Sequence, residues 1–182
     1  MTTLPRFVIV GGAPGSGKTT LANVVAKELA LPLLIKDRIK ESLMESLGVP
    51  DLQANQRLGA AAYSLLFEMT SWLLEAGTGC VVESNFLIGR SEVGLIQLLQ
   101  RAAGTQIHCV ANENLRRSRY EERSRAGLRH PGHLDELVLQ EWATRPAGRH
   151  GPLSLGIPTL VVNTDSGYRP AIEEVLAFCA AQ

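Results

Sequence analysis

Gly12-Ala13-Pro14-Gly15-Ser16-Gly17-Lys18-Thr19, continued by Thr20, is a complete G-x-x-x-x-G-K-[ST] stretch. Its spacing has a chemical reason. Glycines at 12, 15 and 17 let the backbone curl tightly and aim successive N–H groups at phosphate oxygens. A lysine at 18 reaches the β- and γ-phosphates as a compact charge, and the Thr19 hydroxyl is placed to ligate Mg²⁺. A helix opening directly after the loop favours the anion through its N-terminal N–H groups. Residues 12–20 are therefore read as the binding segment for a nucleoside triphosphate with Mg²⁺.

The flanks fit that reading. Phe7-Val8-Ile9-Val10 is an apolar run of the kind found in buried parallel strands. Leu21, Val24, Val25 and Leu29 follow at helical spacing. Further along, strands are expected over 33–35, 80–82, 106–110 and 157–162. Helices are expected over 37–47, 56–76, 92–103, 113–126, 134–142 and 169–180, with a turn over 129–132 and a Pro/Gly-containing loop over 145–156. Alternating strands and helices predict an α/β fold: a five-stranded parallel sheet with helices on both faces. The whole chain, 1–182, reads as one domain. A helical insertion at about 37–78 is expected to hold the acceptor, and a basic helical lid is expected at about 113–137.

Composition narrows the class. Formal net charge is zero, so no global basic field calls for nucleic acid. Hydrophobic residues make up 45%, enough for a sizeable core. Met1–Arg6 leaves no room for a signal peptide, and no run approaches a membrane span. Cys80, Cys109 and Cys179 are widely spaced and form no metal or redox motif. A reduced, cytoplasmic setting is expected, without membrane or nucleic-acid partners. The sequence leaves the oligomeric state open.

Phosphoryl transfer is mostly positioning and charge neutralisation. Ligands in open α/β sheets bind beyond the carboxyl ends of the strands. Asp37 follows the second strand there and is the candidate base, or orienting group, for an acceptor hydroxyl; a helix N-cap is its other reading. Glu83 ends the third strand and is the candidate second Mg²⁺ ligand with Thr19. Asn85 is a candidate acceptor contact, or with Ser84 a turn cap. In the run 116–125, Arg119 and Arg123 share a helix face and are candidates to neutralise the transferring phosphate with Lys18. Arg116, Arg125 and Arg129 are secondary candidates, and a solvated face paired with Glu121 and Glu122 is the alternative. His130 and His133 lack further ligands for a metal site. Tyr63, Phe67 and Trp72 read as core. Asn163-Thr164-Asp165 is expected near the base. No Asn-Lys-x-Asp guanine reader stands there, which favours ATP.

These residues together resemble the adenylate-kinase-like branch of P-loop kinases. Within it the chain is similar to the small ATP-dependent AAA-type P-loop kinases related to chloramphenicol phosphotransferase and the zeta toxins. The resemblance runs over most of the chain: GAPGSGKTT, the Lys36-Asp37 step, Val81-Val82-Glu83-Ser84-Asn85-Phe86, and Arg119-x-x-x-Arg123 through Arg129-His130-Pro131-Gly132-His133. It implies an acceptor-side base at Asp37 and lid arginines at Arg119 and Arg123. Many relatives carry Asp where Glu83 stands. The expected function is ATP-dependent transfer of a phosphoryl group to the hydroxyl of a small molecule. A nucleic-acid end or RNA-modifying kinase and a nucleotide-sensing module are the alternatives. Cations within 37–78 are few (Arg38, Lys40, Arg57), which predicts a neutral or weakly charged acceptor.

Overall fold

The computed structural model describes residues 4–127, 130–140, 142 and 148–181, with the side chain of Val138 excepted. Arg129, expected in the lid, and Arg145 and Pro146, expected in the 145–156 loop, lie outside the described residues.

Five strands form one all-parallel sheet: β1 (Arg6–Gly12), β2 (Leu33–Ile35), β3 (Cys80–Glu83), β4 (Ala103–Val110) and β5 (Thr159–Asn163), in the order β2-β3-β1-β4-β5. β1 is central, with Val10 beside Glu83 on one side and Ile107 on the other. Side chains alternate across it. Phe7 and Ile9 are fully buried on the face shared with Leu66, Leu95 and Leu98. Val8 and Val10 are fully buried on the opposite face with Leu21, Val25 and Val175. Burying both faces explains why β1 is apolar throughout rather than alternating.

The helices described are α1 (Lys18–Glu28), α2 (Lys36–Leu47), α3 (Leu52–Glu75), α4 (Glu92–Leu99), α5 (Glu113–Arg125), α6 (Asp135–Gln140) and α7 (Ile172–Ala180). The α1 and α7 side chains cover one face of the sheet, and those of α3 and α4 cover the other. Among the described residues no helix is long and apolar enough to cross a membrane.

Several boundaries depart from the sequence expectation for physical reasons. The helix expected over 92–103 stops at Leu99, and β4 begins at Ala103 rather than 106. Gly104 is a strand residue opposite Phe7, and its missing side chain admits Leu99. α3 starts at Leu52 because Asp51 caps it, accepting the Ala54 N–H at 2.7 Å. Leu134 has φ 54 and lies outside α6, so that helix starts at Asp135. Arg169 bridges back to Asn163, which delays α7 to Ile172. Trp72, expected in the core, is 59% exposed and donates to Glu68 at 3.0 Å.

Candidate active site

The phosphate loop links β1 to α1 and carries its conformation in its glycines. Gly15 and Gly17 have φ of 78° and 76°, where only glycine is unstrained. A Cβ on Gly15 would overlap the Arg116 carbonyl, and one on Gly17 would press on Thr164. Gly17 caps α1 without a side-chain hydrogen bond, so no side chain caps the first N–H groups of α1. Ser16 is fully buried, and its Oγ has no partner among the described residues. A glycine cradle, an uncapped helix start and Lys18 fit a polyphosphate.

Glu83 joins this loop from β3. It is 3% exposed, accepts the Thr19 hydroxyl at 2.9 Å and lies 3.8 Å from Lys18 Nζ. Burial pushes its carboxyl above the ordinary range, while Lys18 and the Thr19 hydrogen bond oppose the shift. Thr19 and Glu83, two oxygen donors side by side, suit Mg²⁺, which keeps waters and phosphate oxygens as its other ligands. Among the described residues no cluster of three or more His, Cys, Asp or Glu forms an all-protein metal cage.

Asp37 lies where β2 turns into α2. The N-cap there is Ile35, so Asp37 sits inside the first turn and its carboxylate does not cap the helix. Its Oδ1 accepts from Lys36 Nζ at 2.9 Å, and its side chain is 44% exposed. The charges of Asp37 and Glu83 are close enough to repel, and both act on Tyr63. Tyr63, from α3, reaches this edge of the sheet. It accepts the Ser84 hydroxyl at 2.8 Å and donates to the Asn85 carbonyl at 3.3 Å, with Lys36 Nζ 5.4 Å from its ring centre. Burial pushes its phenol up to about 12, so it stays a neutral hydroxyl. Ser84 is thus tied to Tyr63 rather than capping a turn, and Asn85 is half-buried beside it.

The arginine-rich helix α5 divides its charges between two jobs. Arg117 and Arg125 pair with Glu121 on the solvent side, at 2.9 and 3.2 Å. Arg116 reaches the Pro14 carbonyl at 3.4 Å and stacks 5.6 Å from the Trp142 ring. Arg119 donates to the Thr164 carbonyl at 2.7 Å and to Thr164 Oγ1 at 3.2 Å, beside the Gly15 carbonyl. Arg123 donates to the Arg119 carbonyl at 3.3 Å. Thr164 in turn donates to the Ser16 carbonyl at 2.9 Å, which ties the β5 end to the loop. Arg119 and Arg123 face a cleft of about 410 Å³ shared with Lys18, Thr19, Thr20 and Thr164. They therefore flank the loop on the side away from Asp37. His133 meets Glu41 at 2.8 Å, and His130 accepts the Gly132 N–H at 3.0 Å, so both histidines have structural partners.

Beside Asp37 a second cleft of about 750 Å³ opens between α3 and the 87–91 loop, lined by Lys36, Gln56, Tyr63, Phe67, Arg90 and Arg149 among others. Sequence reasoning missed most of these residues. Tyr63 and Phe67 had the signature of core, and Arg90 and Arg149 stand outside the 37–78 insertion. Of the cations counted within that insertion, Lys40 is buried and donates to Asn55 at 3.0 Å. The charge of the cleft comes from elsewhere in the chain.

The AAA-domain pattern matches residues 7–146, most of the chain. The protein belongs to the AAA-domain family. A candidate kinase from Chloroflexus aurantiacus J-10-fl is 32% identical over 98% of both chains and superposes with a TM-score of 0.85. Likeness of fold extends to a sugar kinase from Janibacter sp. HTCC2649 (18% identity, 97% of this chain and 93% of the other, TM-score 0.61). It extends equally to a gluconokinase from Sinorhizobium meliloti 1021 (19% identity, 98% and 94%, TM-score 0.57). No curated protein matches the chain. Within the AAA-domain family this chain is a P-loop kinase of the adenylate-kinase-like branch.

Proposed function

We propose that this protein transfers the γ-phosphoryl group of ATP to a hydroxyl of a small molecule. The observation that carries the reading is a contiguous set of charged groups at the carboxyl edge of the sheet. Lys18, Thr19 and Glu83 lie together at the phosphate loop, and Asp37 pairs with Lys36, which lines the 750 Å³ cleft; this supports a nucleotide side and an acceptor side that meet at Asp37. Gly12, Ala13, Pro14, Gly15, Ser16 and Gly17 cradle the phosphates, and Lys18 holds the β/γ end. Thr19 and Glu83 would hold Mg²⁺, which when bound would neutralise charge on the phosphate oxygens. Arg119, anchored at Thr164, and Arg123 line the nucleotide cleft beyond the loop and clamp the nucleotide.

The acceptor occupies the cleft formed by α2, α3 and the 87–91 loop, with Asn85 and Tyr63 near its reacting end. Asp37 takes the proton from its hydroxyl. The acceptor oxygen forms a bond to the γ-phosphorus, the bond to the β–γ bridging oxygen breaks, and ADP leaves. The basic α5 and the 130–137 segment act as the lid that excludes water. Arginines of α5 spent on Glu121 and on loop carbonyls weigh against a nucleic-acid strand as acceptor. Three buried, unpaired thiols suit a cytoplasmic setting.

The test is consumption of Mg·ATP against sugars, sugar acids, nucleosides, nucleoside monophosphates, aminoglycosides, phenicols and short oligonucleotides. Stimulation by a hydroxylated small molecule supports the reading. Stimulation by oligonucleotides alone, or ATP binding that no class stimulates, overturns it.

A further inference from the structure

We infer that the acceptor carries an oxyanion, a carboxylate or a phosphate ester, in addition to its reacting hydroxyl, and that Arg90 and Arg149 hold that group. The inference rests on the kinase reading for which molecule fills the cleft, and on the cleft itself for its charge.

Among the described residues no acidic side chain lines the 750 Å³ cleft, while three cations do. Lys36 is matched by Asp37 at 2.9 Å. Among the described residues Arg90 and Arg149 have no carboxylate partner. Two guanidinium groups lining one cleft present the same positive charge to whatever fills it. Planar guanidinium groups meet carboxylate and phosphate oxygens two at a time, which a neutral sugar does not exploit.

The backbones that carry both arginines are fixed. The Arg90 N–H donates to the Leu87 carbonyl at 3.1 Å, and the Leu87 N–H donates to the Ser91 hydroxyl at 3.0 Å. The Arg149 carbonyl accepts the Ile88 N–H at 3.2 Å, which binds the two loops to each other. The charged end of the cleft is therefore a built feature of two loops. Tyr63 and Phe67 supply an apolar wall for a carbon skeleton, and Gln56 and Ser91 supply neutral hydrogen-bonding groups for further hydroxyls. Arg90 lines this cleft and not the one shared by Lys18 and Thr19, whereas Arg149 also lines a cleft of about 500 Å³ beside Ala13 and Pro14, so Arg90 is the arginine whose charge is specific to the acceptor side.

The test uses two matched pairs: D-gluconate against D-glucitol, and D-glucose 6-phosphate against D-glucose. Each compound is titrated calorimetrically into the whole chain and assayed for phosphorylation with Mg·ATP. The wild type, Arg90→Gln and Arg90→Lys are compared, and because Arg90 is exposed the fold is expected to survive both changes. The expected result is that at least one oxyanion binds about 10- to 100-fold tighter than its neutral partner. Arg90→Gln should abolish most of that preference, and Arg90→Lys should keep part of it. The pair that responds separates carboxylate from phosphate. Equal binding of neutral and anionic partners, a preference untouched by Arg90→Gln, or no oxyanion binding at millimolar concentration would each overturn the inference. Phosphorylation of neutral acceptors without preference would leave the kinase reading standing and remove this one. Arg90-dependent oxyanion binding without any transfer would do the reverse.

Discussion

At the scale of single residues, side chains a few ångströms apart carry different duties in the proposed transfer. Asp37→Asn keeps size and the contact to Lys36 but removes the proton acceptor. Acceptor-dependent turnover should fall by about 10²–10⁴-fold with ATP affinity largely kept, as compared by stopped assay and nucleotide titration. Glu83→Gln can still accept the Thr19 hydroxyl but carries no charge. The Mg²⁺ concentration for half-maximal turnover should rise by on the order of 10–100-fold. Gly15→Ala forces a side chain onto the Arg116 carbonyl at a left-handed φ. It should destabilise the protein by about 1–3 kcal/mol, read as a shift in thermal midpoint. Lys18, Thr19 and the glycines were legible in the sequence because their spacing is local and each type has one chemical use. Tyr63 was not, since an aromatic on an apolar helix face looks the same whether it packs or lines a cleft. Arg90 and Arg149 were invisible as a pair, because only the loop contact at Ile88 brings residues so far apart in the chain together.

At the scale of elements, what positions the site is the start of each helix. α1 opens on Gly17 with no side-chain cap and leaves its first N–H groups open to an anion, whereas α3 opens on Asp51, whose carboxylate accepts the Ala54 N–H. Asp51→Ala should lower stability by about 1 kcal/mol while leaving the acceptor-stimulated rate unchanged, because only the cap of α3 is lost. α5 was readable as a basic helix, but its sequence did not say which arginines look inward. Arg117 and Arg125 lie in reach of Glu121, while Arg116 and Arg119 meet loop carbonyls that the fold alone supplies. Arg119→Ala should therefore raise the KM for ATP more than it lowers kcat. The misplaced boundary of β4 has a similar origin. Gly104 reads as a helix stop, yet in the sheet it is the residue small enough to lie under Leu99.

At the scale of the whole molecule, two apolar layers clamp β1, and Lys18, Asp37 and Glu83 of the candidate site lie at the carboxyl ends of the strands. The five-stranded parallel architecture was legible in the sequence because apolar runs and glycine stops alternate along the chain. The order of the strands was not, because it follows from pairing across the sheet. Titration of the interior gives a global prediction. His108 is buried in β4, and burial lowers its pKa below the ordinary value. The folded protein then binds that proton less readily than the unfolded chain. Its contribution is intact above the unfolded value near 6.5 and is lost as pH falls below it toward the folded value. Between pH 7.5 and 5.5 the thermal midpoint of the wild type should fall more steeply than that of His108→Gln. The proposed transfer is followed at the phosphorus itself. Phosphorus NMR of Mg·ATP with the acceptor that stimulates turnover should show the γ signal converted to a new phosphate ester on that acceptor, and no conversion with Asp37→Asn. Inorganic phosphate as the sole product, or ester formation undiminished in Asp37→Asn, would contradict the account.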